Sequence, residues 1–334
     1  MKKTLLLTSA LVSSIALTSV ANAEVKGSMK FGYGASDGAS NDATAAGTQG
    51  FMRETQIDMS TKGELDNGVS YKAGASFEAE GGSIDDDEGT FLEFSSGDTT
   101  VHFGVDKFTN LDASATPTTG SALQTVADVA GDVAYTRNPT SPYGSFGLGV
   151  AQKTPFGTIS ALYVPQQNDT GGTGGVADHK AVNIEGGAAY EIKFKGNLGM
   201  DGLNVVAGLN SRDKETNDDA VTSDGEGKVI GISYNFGSFA IGASKMEDDK
   251  QTGTNYDNTE YGVTFAASDQ VSIGLGILKH EDSSASDDEE TKLLTVGYSL
   301  GPIALELNYV DVENHGTTTN KDITGASINT SVKF

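Results

Sequence analysis

Apolar and polar residues alternate with period two along almost the whole chain. In 69–80, VSYKAGASFEAE, the residues Val69, Tyr71, Ala73, Ala75, Phe77 and Ala79 share one parity, and Ser70, Lys72, Gly74, Ser76, Glu78 and Glu80 share the other. In 229–237, Ile230, Ile232, Tyr234 and Phe236 stand against Gly231, Ser233 and Asn235. In 270–281, Val271, Ile273, Leu275 and Ile277 stand against Ser272, Gly274, Gly276 and His280. Successive side chains of a strand point to opposite faces, so this is the pattern of a sheet with one continuously apolar face. It predicts sixteen strands, near 25–35, 51–62, 69–80, 90–95, 99–106, 142–153, 157–165, 182–194, 203–213, 229–237, 238–248, 259–268, 270–281, 292–300, 302–313 and 323–334. Most are about ten residues long, which is enough for a tilted strand to cross a bilayer. Beyond the first 23 residues, helical periodicity is confined to a short helix expected over 121–130. A strand-like piece, Val133-Ala134-Tyr135, falls between the fifth and sixth segments and reads as the end of their connection or as an irregular start of the sixth strand.

The connections alternate short and long. The short ones include DNG (66–68), SSGD (95–98), TPFG (154–157), SDQ (268–270) and LGP (300–302). Asn67-Gly68 is a hairpin signal, because both residues accept positive φ. The long ones are acidic or rich in Gly and Thr, such as GGSIDDDEG (81–89), QQNDTGGTGGVADHK (166–180) and DSSASDDEE (282–290). Strict alternation places tight turns on one rim and long loops on the other, as in an up-and-down antiparallel sheet of even strand number. The non-apolar face is rich in Gly and Ser and packs nothing, which argues against a soluble sandwich. An open sheet of this size also leaves two unpaired edges. Closure of the last strand on the first removes both. A barrel of sixteen strands is too wide for side chains to fill, so its interior is an aqueous channel. Its apolar face meets lipid, where every backbone group must be paired.

Composition then places the barrel. Residues 1–23, MKKTLLLTSALVSSIALTSVANA, have two lysines, an apolar stretch and an Ala21-Asn22-Ala23 cleavage pattern, which is the plan of an export signal. Cleavage before Glu24 leaves 24–334 as one barrel domain. It also shifts the net charge from −24 to −26, since Lys2 and Lys3 leave and no acid does. So acidic a chain does not bind nucleic acid through its overall field. The absence of cysteine excludes disulfides and thiol chemistry. No later run of 18 apolar residues offers a transmembrane helix.

Four stretches carry a family resemblance: EVKGSMKFGYGA after the leader, KGELDNGVSYKAGASF (62–77), TFLEFSSGDTTVHFGVDK (90–107), and the terminal alternation Ile328, Thr330, Val332, Phe334. Together with the loop alternation, they make the chain resemble the general diffusion porins of Gram-negative outer membranes, in particular the alphaproteobacterial type. The resemblance implies a homotrimer of 16-stranded antiparallel transmembrane β-barrels in the outer membrane. Each barrel would have its third long loop, about 107–141, inserted as a constriction. It also implies passive diffusion of small hydrophilic solutes and ions, contact with lipid and lipopolysaccharide, and delivery by periplasmic chaperones to the outer-membrane assembly machinery, with Phe334 as the assembly signal. No PEFGG-like stretch is present; TPTTGS (116–121) stands near that place.

Family eyelets set basic wall residues against acidic loop residues, and such fields orient permeants. Arg137 resembles a wall arginine after the constriction loop, and Arg53 lies on the second strand, where the family also places one. Arg53 shares parity with Ile57 and Met59, however, which should face lipid, so it needs a bulge or a position above the membrane. Lys26, Lys30, Lys72, Asp106 and Arg212 have lumen parity, and Asp112 and Asp128 are the acidic loop candidates. The four histidines lie on separate segments without metal-ligand spacing. No cofactor is expected beyond loosely held Ca or Mg at the acidic outer loops. No nucleophile–base motif points to an enzyme. The acidic mouth predicts weak cation selectivity. A substrate-specific channel and a non-conducting adhesion barrel are the alternatives.

Overall fold

The structure, a computed structural model, describes residues 22–38, 49–80, 83–85, 89–105, 108–109, 111, 146–165, 188–213, 224–250, 255–283, 287–314 and 322–334. The expected leader, the expected helix over 121–130 and the piece Val133–Tyr135 lie outside these residues. Every regular element described is a strand. The first half of the sheet runs β1 (Asn22–Gly38), β2 (Gln49–Glu64), β3 (Ser70–Glu80), β4 (Ser83–Asp85), β5 (Thr90–Ser96), β6 (Thr99–Val105), β7 (Gly147–Thr154), β8 (Gly157–Val164) and β9 (Ala189–Gly196). It continues with β10 (Leu203–Arg212), β11 (Gly225–Phe236), β12 (Phe239–Lys250), β13 (Tyr256–Ala266), β14 (Val271–Asp282), β15 (Glu289–Leu300), β16 (Ile303–Glu313) and β17 (Ile323–Lys333).

These strands close into a 16-strand antiparallel barrel. Each pairs with its neighbours in sequence, and β17 returns to β1. The fourth wall position is shared by β4 and β5, which pair with the two ends of β3. The acidic stretch between β3 and β5, expected as loop throughout, thus begins with a short continuation of the wall. The seam runs from Ser28↔Lys333 to Gly38↔Ile323. It ends on a reciprocal pair: Gly27 N donates to the Phe334 carbonyl at 2.9 Å, and Phe334 N donates to the Gly27 carbonyl at 3.0 Å. The Phe334 ring lies where a Gly27 side chain would stand, 2.4 Å from a built Cβ. The terminal residue is therefore anchored by its backbone and by its ring.

Tight turns close one rim, as at 97–98, 237–238 and 301–302. In the 65–69 turn, Gly68 has φ +80°, donates to the Leu65 carbonyl and lets Leu65 N reach the Val69 carbonyl. A residue with a side chain is strained there.

The registers fix the two faces. Ile230, Ile232, Leu275, Leu307 and Ile328 point outward and are exposed on the isolated barrel. Their ladder neighbours Gly231, Ser233, Gly274, Asn308 and Ser327 point inward. Two aromatic rows bound the apolar band. On the turn side, Phe239 stacks on Phe236 and Phe265, with ring centroids 5.8 and 4.7 Å apart. On the loop side, Tyr163 meets Tyr190 at 5.0 Å and Tyr33 meets Phe51 at 4.9 Å. Such girdles mark the membrane interfaces of transmembrane barrels.

Above the band on β11–β16, the outward face becomes ionic. Lys228 meets Asp249 at 3.7 Å, Lys245 meets Glu247 at 2.7 Å and Asp257 at 3.2 Å, and Lys279 meets Glu290 at 3.3 Å. Lys292 bonds both Glu290 and Glu313. The cross-strand pairs among them carry the ladders past the lipid band. The DDEE stretch, expected as solvated loop, therefore divides: Glu289 and Glu290 begin β15, with Glu289 inward and Glu290 outward.

Candidate functional site

The inward face surrounds a lumen lined mainly by Gly, Ser, Thr and Asn on β11–β17. Charge is concentrated on β1–β3, β5 and β7–β10. Along those ladders the pairs Lys26↔Asp58, Lys30↔Glu54, Gln56↔Glu78 and Lys72↔Glu93 all face inward. Lys30 Nζ bonds both oxygens of Glu54, at 2.6 and 2.7 Å, and Lys26 pairs with Glu24 at 3.0 Å. The Lys72 ammonium stands over the Phe91 ring, 4.7 Å from its centroid. This is a cation–π contact between two inward side chains on neighbouring strands.

Arg212 also has the inward position expected of it, but it is not open to the lumen. Its Nη2 donates to Asp248 Oδ1 at 2.7 Å, and both side chains are almost wholly buried. Removing one partner of such a pair strands a charge and is strongly destabilising. Arg212 therefore braces the loop-side wall between β10 and β12.

Arg53 is a correction. The β1–β2 register runs without interruption from Asn22↔Lys62 to Ala35↔Gln49, and no bulge intervenes. Arg53 thus sits opposite Phe31 on the outward face, two residues from the exposed Phe51. A one-residue slip would be needed to bring it inside, and that slip would turn Ile57 and Met59 into the lumen as well. Asp106, Asp112, Asp128 and Arg137 lie outside the described residues.

The connection after β6 begins inside the barrel. Phe108 stacks on inward His102, with centroids 4.4 Å apart and planes 18° apart, and covers Gly149 of β7. His102 is itself fully buried between Phe108 and Phe91, with Nδ1 3.4 Å from Glu93. Three residues further on, Leu111 is completely buried against inward Val229 and Met246 and lies over Gly208 of β10. The chain therefore passes from the β6–β7 wall to the β10–β12 wall through the lumen. Glycine is required at the crossing points: a Cβ on Gly208 would come within 2.5 Å of Leu111 Cδ2, and one on Gly149 within 2.4 Å of Phe108.

Parity alone could have found several lumen lysines that the candidate set omits, namely Lys62, Lys153, Lys195 and Lys333. Phe108 and Leu111 had a weaker signal, as two large apolar residues at the start of an otherwise small and polar loop. Among the described residues, no group of three or more His, Asp or Glu side chains could hold a metal ion.

A family profile described as Gram-negative porin matches residues 8–317. No curated protein sequence matches the chain. Among solved structures, the anion-selective porin of Comamonas acidovorans shares the fold at a TM-score of 0.68 and 11% identity, covering 94% of this chain and all of that one. OprB of Pseudomonas putida aligns at 0.68 and 11%, over 93% and 94% of the two chains. A triple mutant of the Rhodopseudomonas blastica porin aligns at 0.63 and 13%, over 93% of this chain and 100% of that one.

Proposed function

The chain belongs to the Gram-negative porin family and is a non-enzymatic outer-membrane channel protein, and from that premise we propose that it acts as a homotrimer passing small hydrophilic solutes and ions by passive diffusion. The observation that carries this reading is the seating of Leu111 on the inner wall. Phe108 and Leu111, at the start of the long β6–β7 connection, stand against the inner wall, which is what a connection that narrows the pore requires. Among the described residues, only Phe91 and Tyr256 are inward aromatic residues on the strands, on separate parts of the wall. That favours general diffusion over a substrate-specific track.

Selectivity follows from where charge lies. Removal of the leader leaves a net charge of −26, and the long-loop rim carries acidic stretches. A mouth of one sign concentrates counter-ions within about a Debye length, roughly 10 Å at 0.1 M salt. Weak cation preference is the reading this supports, and Arg53 has no part in it. The outward ion-pair belt on β11–β16 stands at the height of the outer leaflet's headgroups. Its lysines fit lipopolysaccharide phosphates, and its surplus carboxylates fit loosely held Mg or Ca between them. Phe334, already locked at the seam, is the terminal feature that the assembly machinery would read before closure.

Reconstitution of the refolded protein in planar bilayers tests the reading. Discrete open steps, grouped in threes, and a size limit for sugar entry into liposomes are expected. Silence from properly refolded oligomer defeats it and favours an adhesion barrel.

A further inference from the structure

The lumen charge is not mixed evenly along the pore axis. At the tight-turn end the inward positions hold Lys62, Lys72, Lys153, Lys195 and Lys333, and among the described residues none of these ammonium groups has a carboxylate within ion-pair distance. Lys62 and Lys72 are direct cross-strand partners. Lys153 and Lys195 lie on one ladder row, on either side of the hydroxyl of Thr158. Like charges placed directly opposite cost stability, so folding alone does not account for the Lys62–Lys72 pair. The carboxylates at this end are largely engaged. Glu24 is held by Lys26, Asp58 by Gln56 and Ser76, Glu93 by His102 and Glu306 by Asn308, while Glu64 stands at the turn that ends β2.

The long-loop half is the reverse. Its inward charges include Glu54, Glu78, Glu191, Asp248, Glu260, Asp282 and Glu289, set against Lys30 and Arg212. A strand of about ten residues tilted by about 40° rises roughly 25 Å along a barrel axis, so the two halves are centred roughly 12 Å apart. That separation is comparable with the Debye length in about 0.1 M salt and several times the ~3 Å length at 1 M.

We propose that the lysine arc at the tight-turn mouth is a docking site for multivalent oxyanions, and that its opposition to the acidic long-loop half makes the channel rectify. Cations enter most readily through the acidic half and anions through the lysine half. Current is therefore larger when the long-loop side is positive, because both ions then start from the end that concentrates them. A di- or triphosphate-like anion reaches the arc directly from the tight-turn side, whereas from the other side it must first cross the acidic half.

The inference rests on the channel reading and is tested separately from it. Single channels are recorded in 0.1 M KCl at both polarities, and millimolar inorganic pyrophosphate is then added to one side at a time. The expected result is a current on the order of 1.5-fold larger at one polarity. Pyrophosphate should block about twofold more from the side that is negative at that polarity. This coupling holds whichever way the protein inserts. Both effects should vanish in 1 M KCl, and both should shrink in the Lys62→Gln/Lys153→Gln/Lys195→Gln variant. Single Lys195→Gln serves if the triple variant does not insert. Symmetrical currents through open channels, block from the opposite side, or asymmetry that survives 1 M salt or the lysine substitutions overturns the proposal while the channel reading stands. A protein that never opens strikes the channel reading instead.

Discussion

Leu111 offers the sharpest test of the inserted loop. Its side chain is fully buried against Val229 and Met246, on a wall otherwise wet and polar. Leu111→Ala removes three carbon groups, each worth about 0.8 kcal/mol of burial, or about 2.4 kcal/mol in all. Water refills the space from the lumen, so little cavity penalty is added. At about 1.4 kcal/mol per tenfold, the docked state weakens by roughly 50-fold. The wall ladders do not involve Leu111, so barrel closure is untouched. In 1 M KCl, where mouth charge is screened, the variant should flicker to a larger conductance level that the parent visits about 50-fold less often. Gly208→Ala reaches the same contact from the wall, since its Cβ would stand 2.5 Å from Leu111 Cδ2, with the Ile192 carbonyl a further 2.9 Å neighbour. The double variant should be less affected than the sum of the two single variants, because the Leu111 methyl that clashes is gone while the contact with the Ile192 carbonyl remains. Unchanged conductance in Leu111→Ala, or strictly additive effects in the pair, would refute docking of the loop at this point.

Three further outcomes follow from the faces and the seam. Leu275→Arg, outward between the Phe265 girdle and the ionic Lys279, should weaken refolding into lipid vesicles by roughly 2–4 kcal/mol. Gly274→Arg, inward on the same strand, should cost clearly less, and equal penalties would mean the faces are misassigned. Deleting Phe334 removes both backbone bonds to Gly27 and the ring above it, so heat-modifiable oligomer in the outer membrane should fall; normal amounts on a gel would contradict the role given to the residue. Neutralising Asp287 and Asp288 should reduce the cation preference measured as a reversal potential at low salt and leave it unaffected at about 1 M, where the Debye length is about 3 Å. Anion preference in the parent protein would sink the mouth argument and shift weight to the lysine arc.

Much of the wall was legible in the sequence because period two is a local property. A residue's parity depends only on its neighbours, and a slip of one position would turn a whole apolar row into the lumen. Ile230, Ile273 and Phe334 could therefore be assigned outward, and Lys26, Lys30, Lys72 and Arg212 inward, before any contact was known. Closure was also inferable, since sixteen strands with two bare edges have no other solution in lipid. The doubt over Arg53 was legible too, but whether a bulge rescued it was not. A bulge is decided by pairing between β1 and β2, and that register runs straight through.

The tertiary structure decided what parity leaves open, which is position along the pore and contact across it. Parity gave Arg212 the same standing as Lys72, yet one is locked to Asp248 and buried while the other stands over Phe91 at the opposite end. Leu111 meets Val229 and Met246 more than a hundred residues away, and no local pattern encodes that meeting. The separation of lysines from carboxylates along the axis belongs to the same class. It depends on which end of each strand carries the charge once all the turns are gathered on one rim. Alternation fixes the face on which a side chain stands because the backbone repeats every two residues. Height and partners are fixed only when the registers of all the strands are summed around a closed barrel.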